Sequence, residues 1–453
     1  MKKSSILLLL VLAFVFAFAF TSCGDPDSAE AVLERIDKKM DSLESYESDL
    51  SMQMTFFIDE TEVKAIGTGC LVESGVGTDD YYYYQSMTMT IFSDILPSSQ
   101  ETESIEAYNE GRMLVYNKGD GINQKLCSQM TKEAFLEYKE DNDSLDIDFN
   151  DCSNADFVKN EDNSWSLTYS GYSETVIGSI VEDLGFDKEM VGAEISHMKI
   201  SITADEDFRA KQIVFDFVFD VEEDATAVPV FTVTENFSKY NEATRIVKGI
   251  NAVDYDEVED VRLLYNVEKM IEDLQNDKDG SFVLDVSQTV TVMGQSSSYK
   301  ETDTVSYGET DGSYFYDITA DVSGSTIDIG YKNGVQTVTQ NSASQTVDQT
   351  EDEARDFING LINTAQYNKA YVSDLTKVSD GVYKFQFDKP NSSTYKQALA
   401  NMGASYDSAK QTITVTIRDN KIVKIESEAE ALGKIQSSFG ISIEIVSSIT
   451  FND

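Results

Sequence analysis

Imidazole is almost absent from this chain: its 453 residues contain a single histidine, His197. It precedes the apolar alternation of Ile200 and Ile202, and no serine or cysteine elbow motif accompanies it, so a nucleophilic triad is not expected. A His/Cys metal site fails for want of a second histidine or any CxxC pair. Phosphate-cradling loops are missing as well, because Gly67-x-Gly69 and Gly75-x-Gly77 lack the further glycine and lysine such loops need. The acidic run Asp141, Asp143, Asp146, Asp148 and Asp151 fails as an EF-hand, which needs a ligand fifth, glycine sixth and glutamate twelfth. Those positions hold Leu145, Asp146 and Cys152. No metal and no cofactor is expected. Basic residues are scarce too, 35 against 81 acids, for a formal charge of −46 that repels nucleic acid and anionic headgroups. With 81 acids, carboxylate pairs of the glycosidase kind carry no signal, and the chain is not expected to be an enzyme. Only four prolines occur among plentiful Thr, Ser, Val, Tyr and Phe, which favours sheet over disorder.

The one long apolar run is at the start. Lys2 and Lys3 precede Ile6 to Phe20, and the small pair Thr21-Ser22 leads to Cys23 and Gly24. A positive start, an apolar core of this length and small residues before the cut make a secretory signal, and the run is too short to span a bilayer comfortably. Thr21, Ser22, Cys23 and Gly24 resemble the bacterial lipoprotein signal, with Phe20 where that family usually has leucine. The resemblance implies that residues 1–22 are removed, that Cys23 carries diacylglyceride and palmitate, and that residues 23–29 form a short tether. The body would then lie on the extracytoplasmic face of the cell membrane, held there by its lipid. Cys70, Cys127 and Cys152 remain, an odd number confined to the first half, so no disulfide framework is read.

Beyond residue 29 the chain is written twice. Ser45-Tyr46-Glu47-Ser48-Asp49-Leu50-Ser51 returns as Ser281-Phe282-Val283-Leu284-Asp285-Val286-Ser287, an offset of 236. Ala107 to Gly111 returns at Gly330 to Gly334, an offset of 223, and Asp156 to Lys159 with Trp165 returns at Asp374 to Lys377 with Tyr383, an offset of 218. Each copy opens with an amphipathic helix, through Val32, Leu33, Ile36, Met40 and Leu43 in one, and Val261, Leu264, Val267, Met270, Ile271 and Leu274 in the other. Alternating strands follow, near residues 50–58, 63–72, 81–92 and 105–116, then 286–293, 300–307, 312–320, 325–332 and 334–340. Thr131 and Thr350 each begin a further helix, the second with a capping box completed by Glu353. Another helix is expected over Val176 to Leu184 and over Tyr395 to Met402, and each copy closes with a hairpin and a last strand.

The expected fold class is α+β: two tandem copies of a curved antiparallel sheet, an incomplete barrel, with helices packed on one face. The domains are residues 30–244 and 257–453, with a linker over 245–256. In element order, and in the late hairpin Ile413-x-Val415-x-Ile417 with its Asp419-Asn420-Lys421-Ile422 turn, both copies resemble the lipoprotein-carrier superfamily of LolA, LolB and the LppX type. The resemblance implies a concave, helix-lidded side able to hold acyl chains; no functional residue of that family is placed on a position here.

Two residue sets stand out. Met52, Met54 and Phe56 in one strand, and Phe215, Phe217 and Phe219 in another, form apolar faces that suit variable lipid tails and would equally fill a dry core. The run Tyr81-Tyr82-Tyr83-Tyr84 puts two tyrosines on each face of a strand, the inner pair for the core and the outer pair for a sugar or protein contact. The expected function is that of a non-enzymatic, membrane-tethered binding or carrier protein for an apolar or acylated ligand. The alternative is a surface or adaptor lipoprotein acting through a protein partner.

Overall fold

The computed structural model describes residues 28–58, 61–93, 99–119, 122–142, 152–173, 194–220, 230–246, 250–310, 312–387, 392–435 and 439–452. The signal and Cys23, most of the acidic run, and the helix expected over Val176 to Leu184 lie outside them. The chain divides into two compact units, residues 1–256 and 257–453. Among the described residues strands account for 61% and helix for 17%, so the helices expected beside the sheets are present but the balance is mostly β.

Among the described residues the first unit opens with α1 (Ala29–Asp41), whose first residue is the last of the stretch expected as tether. The Ser28 hydroxyl accepts from the Ala31 amide at 3.1 Å, Glu30 sits in the first turn and Lys38 and Lys39 in the last, so cap and dipole agree. Eleven strands follow: β1 (Ser45–Ile58), β2 (Thr61–Ser74), β3 (Tyr82–Ser93), β4 (Gln100–Asn109), β5 (Arg112–Gly119), β6 (Ile122–Gln129), β7 (Asn154–Lys159), β8 (Trp165–Ser170), β9 (Glu194–Ala204), β10 (Ala210–Asp220) and β11 (Val230–Ser238). The helix α2 (Lys132–Asn142) falls between β6 and β7. The order across the sheet is β6-β5-β4-β3-β2-β1-β11-β10-β9-β8-β7, and a two-residue β12 (Asp256–Glu257) at the unit boundary borders β6. Every pairing in the registers is antiparallel, and the sheet is open rather than closed into a barrel.

The second unit repeats this plan. It has α3 (Arg262–Asn276), β13 (Gly280–Val292), β14 (Gln295–Thr310), β15 (Ser313–Val322), β16 (Ser325–Lys332), β17 (Val335–Gln340), β18 (Ala343–Asp348), α4 (Glu351–Ile362), β19 (Asp374–Ser379), β20 (Val382–Phe387), α5 (Ser392–Asn401), β21 (Ala404–Arg418), β22 (Lys421–Ile435) and β23 (Phe439–Phe451). Its sheet order is β18-β17-β16-β15-β14-β13-β23-β22-β21-β20-β19, the same path strand for strand. Register is shared as well. Lys159 lies opposite Trp165 in one unit and Lys377 opposite Tyr383 in the other, each residue displaced by the same 218 positions. The Met130 amide donates to the Gly111 carbonyl at 2.9 Å, and the Gln349 amide to that of Gly334 at 3.0 Å.

The strand expected over residues 105–116 is two strands. Glu110 and Gly111 both have positive φ, 51° and 74°, as do Asn333 and Gly334 at 54° and 82°. Two successive left-handed residues make the tight turn whose twist matches a hairpin. β6 and β18 were not expected, because Asn123, Lys125, Ser344, Gln345 and Thr346 dilute the apolar alternation that marks a strand; their backbone ladders to β5 and β17 suffice. The supposed linker also differs. Ile250 and Tyr255 are buried with Val72, Tyr82, Ile105 and Leu114, so this segment covers one face of the first sheet.

Thr350 caps α4 as its sequence implies: its hydroxyl accepts from the Glu353 amide at 3.2 Å while the Glu353 carboxylate accepts from the Thr350 amide at 2.7 Å. Thr350→Ala is expected to lower stability by about 1 kcal/mol, read as a fall in urea midpoint for the second unit.

Candidate functional site

In the first unit, a cavity of about 300 Å³ lies under α1. Helical spacing turns Leu33, Ile36 and Met40 inward and carries Asp37 and Asp41 with them to the same space. Ile202 of β9, Ala210 and Ile213 of β10 and Phe237 of β11 form the apolar floor, while Tyr46 of β1, Glu73 of β2 and Lys139 of α2 form a polar end.

The polar end is a built network. Both carboxylate oxygens of Glu73 accept from the Lys139 ammonium at 3.2 Å, and the pair is buried. The Tyr81 hydroxyl donates to Glu73 at 2.6 Å and that of Tyr46 at 2.9 Å. Burial pushes the Glu73 carboxyl up, but Lys139 and the Tyr81 and Tyr46 hydroxyls outweigh it, leaving it below the usual value. The Lys139 ammonium also lies 4.8 Å from the Tyr83 ring centre, and Phe135 of α2 packs on Tyr81, Tyr83 and Tyr108.

Two other acids, Asp37 and Asp41, line the same cavity, and a third, Glu235, is buried on the same face of the sheet outside that lining; all three shift in the opposite direction from Glu73. Burial first, and then Asp41, push the Asp37 carboxyl up to about 7. Asp41 is raised by burial and by Glu73. Glu235 of β11 is 5% exposed and is pushed up by burial to about 7, eased only by the Ser48 hydroxyl, which donates to one oxygen at 2.6 Å. Its second oxygen, Oε2, has no hydrogen-bond partner among the described residues.

Of the residues singled out from sequence, Met52, Met54, Phe215 and Phe217 are buried in one cluster with Val32, Leu33 and Ile36 of α1. They pack beside the cavity and are not among its lining residues. The side chains of Phe56 and Phe219 lie outside the described residues. All four tyrosines of the run are buried, Tyr81 to Tyr84 being 4%, 1%, 0% and 7% exposed, so the expected outer pair is no surface for a sugar or a partner. The reason is that both faces of the sheet are covered here: Tyr81 and Tyr83 lie under α2, and Tyr82 and Tyr84 lie under the segment that includes Ile250 and Tyr255. The Tyr82 hydroxyl donates to the Ile246 carbonyl at 2.7 Å. His197 is exposed on β9. Among the described residues no group of three or more His, Cys, Asp or Glu side chains is arranged to hold a metal ion, and Cys70, Cys127 and Cys152 form no disulfide.

Sequence reasoning missed Glu73, Lys139, Asp37, Asp41 and Glu235. A signal for two of them exists in the strand period. Glu73 continues the inward register Val63, Ala65, Gly67, Gly69, Leu71, and Glu235 interrupts Phe231, Val233 and Phe237. A carboxylate on the apolar phase of a strand is costly and needs an explanation.

Residues 28–247 match the model of a family of unknown function, DUF6612. That is just under half of the chain. No curated protein matches it. Among solved structures, the chain is similar to a DUF1329 family protein from Desulfovibrio piger, at 12% identity over 43% of this chain and 91% of that one, with a TM-score of 0.17. It is also similar to the outer membrane protein OpdK from Pseudomonas aeruginosa, at 8% identity over 90% and 99% of the two chains, TM-score 0.14. The translocator domain of the autotransporter NalP from Neisseria meningitidis gives 6% over 93% and 96%, TM-score 0.12. With scores this low, these likenesses carry no argument about the present chain. No helix among the described residues is long and apolar enough to cross a membrane.

Removing the ammonium while leaving the buried carboxylate is the most damaging change to this site. Lys139→Met is expected to cost roughly 3–5 kcal/mol in chemical unfolding, and the double variant Glu73→Gln/Lys139→Met to recover most of it. Glu235 behaves with the opposite sign from Glu73. Its folded-state value of about 7 lies above the ordinary 4.5, so its stabilisation is full below pH 4.5 and is lost as pH rises through 7. The thermal midpoint of Glu235→Gln should therefore climb relative to the parent chain across that window, and a gap independent of pH would refute the burial assignment.

Proposed function

We propose that this is a non-enzymatic binding or carrier protein, exported, tethered by lipid at Cys23 to the extracytoplasmic face of the membrane, and holding an apolar or acylated ligand under α1. One observation carries the reading: a cavity of about 300 Å³ with an aliphatic and aromatic floor and convergent polar groups at one end. Its volume is at the lower bound for small-molecule sites, and the mixture of apolar wall with a few fixed polar groups is what such sites share. The packing of Val32, Leu33 and Ile36 of α1 with Met52 and Phe215, and of Phe135 of α2 with Tyr83, supports a helical cover over this part of the first sheet. Such a cover is what the lipoprotein-carrier resemblance implies. A ligand entering beside Met40 would displace little, since Met40 is only half-buried at the helix edge.

A body this acidic is repelled by anionic headgroups, so a covalent anchor would be needed to keep it at the bilayer. Cys23→Ala should abolish lipid labelling in cells and release the protein into the medium; unchanged labelling would remove the anchor from the account. For the cavity, octanol and a fluorescent fatty-acid probe are expected to bind the purified soluble body, and Met40→Trp to weaken both at least tenfold with no fall in thermal midpoint. A clean apoprotein that ignores both probes would turn the reading towards an adaptor working through protein contacts.

A further inference from the structure

The two sheets follow the same path, yet one face of each is finished differently. In the first unit that face is apolar at Tyr82, Tyr84, Ala107 and Leu114, and a returning stretch of the same unit, with Ile246, Ile250 and Tyr255, packs on it. The Tyr82 hydroxyl donates to the Ile246 carbonyl at 2.7 Å and accepts from the Ile246 amide at 3.1 Å. The Arg245 guanidinium lies 5.5 Å from the centre of the Tyr82 ring and pairs with Asp80 at 2.8 Å.

In the second unit the corresponding face carries an open groove of about 400 Å³. Counted from the turns at Gly111 and Gly334, Ala107 corresponds to Gly330 and Leu114 to Thr337, and each pair is directly opposed across its hairpin. Tyr84 lies opposite Ala107 and Asp317 opposite Gly330, so Asp317 stands at the register of Tyr84 and Phe315 at that of Tyr82. Phe315, Asp317, Gly330 and Thr337 all line the groove, with Lys332 and Val335 beside them. An aromatic ring is thus kept where Arg245 stacks, while the apolar groups around it give way to a carboxylate, a hydroxyl and a glycine. Gly330 keeps the floor open, since a Cβ there would come within 3.2 Å of the Asp317 carboxylate. Asp317 and Lys332 are exposed, and neither side chain has a hydrogen-bond or ion-pair partner among the described residues. Asp348, opposite Val335, and Asp328, two residues before Gly330, put further carboxylates on this face.

We propose that this groove takes an extended, basic segment of a partner protein, seated as Arg245 and Ile246 are seated in the first unit. Its arginine or lysine lies over the Phe315 ring with Asp317 as counter-charge, and an aliphatic neighbour lies against Val335. Charge decides between occupants. Asp317, Asp328 and Asp348 outnumber Lys332 here and the whole chain stands at −46, so a basic segment is attracted and an acidic one repelled. A neutral saccharide would use the ring and the hydroxyls but gain nothing from the excess of negative charge. The site lies in the second unit and stands whether or not the cavity under α1 holds a ligand.

The probe is the acetylated and amidated peptide Ala-Thr-Arg-Ile-Val-Lys-Gly-Ile, the sequence of residues 243–250, which carries two positive charges. It is titrated by calorimetry into the soluble body in about 0.15 M NaCl. The controls are a scrambled peptide of the same composition and a neutral one with citrulline and glutamine in place of arginine and lysine. The probe is expected to bind at least tenfold tighter than either. Asp317→Asn, which alters an exposed group, should weaken it at least tenfold with no fall in thermal midpoint, and Gly330→Val, which fills the floor, should abolish it. Glu161→Gln, an exposed charge removed from the first unit, should leave it unchanged. A control peptide that binds as tightly, or an affinity unaltered by Asp317→Asn and Gly330→Val, would overturn the site. Binding of neutral chitotriose in place of the probe would reassign the groove to sugars, and binding of neither would leave it a solvated face; both refute the basic segment.

Discussion

Both sheets depend on one constraint: a strand with period-two alternation has an apolar face that water must not reach. In the first unit β1 bears that constraint most heavily. It pairs along nearly its whole length with β2 on one side and β11 on the other, and Tyr46, Ser48, Leu50, Met52 and Met54 all rise from one face. α1 answers it with Val32, Leu33 and Ile36, burying side chains each of which contributes on the order of 1.5–3 kcal/mol of transfer free energy. Further along the same face the apolar phase gives way to Glu73 and Glu235, and the cover must then supply charge or hydrogen bonds as well as methyl groups. Lys139 supplies them for Glu73. The cavity lies where the helix no longer fills the space above the sheet.

The tyrosine run illustrates how cover changes the meaning of a sequence. Four consecutive tyrosines would present two rings to water on a one-sided sheet. Here a helix takes one face and a returning segment takes the other, so Tyr81 becomes a donor to a buried carboxylate and Tyr82 a clasp on Ile246. Rings with one polar atom suit both tasks, since each hydroxyl finds a partner at the edge of an apolar layer. The segment over 250–256 was open to misreading because it is short and mixed, and only the hydrophobic surface left by β2 to β6 gives it a place.

The two units share a path through eleven strands and differ in chemistry. Glu73 of β2 corresponds in register to Val305 of β14, since Tyr46 and Phe282 occupy matching positions opposite them. Val305 is fully buried in an apolar cluster with Phe282 and Tyr307. The scaffold is therefore satisfied by hydrocarbon at this position, and the first unit's carboxylate and lysine are additions to it. A buried pair that the same fold does without marks the first unit as the place to look for function.

The sequence by itself determined the strand and helix periods, the duplication, the break between the strands on either side of Asn333 and the capping box at Thr350, because each depends on neighbours a few residues apart. It also placed Met52, Met54, Phe215 and Phe217 on apolar faces. Only the tertiary structure decided that those four are packed core, that all of Tyr81 to Tyr84 are buried, and that Glu73 meets Lys139 across 66 positions of chain. Local propensities act over a turn or a pleat, whereas desolvation of a carboxylate depends on what folds back over it. Nothing in the chain near Glu235 tells that its second oxygen will be sealed from water without a donor.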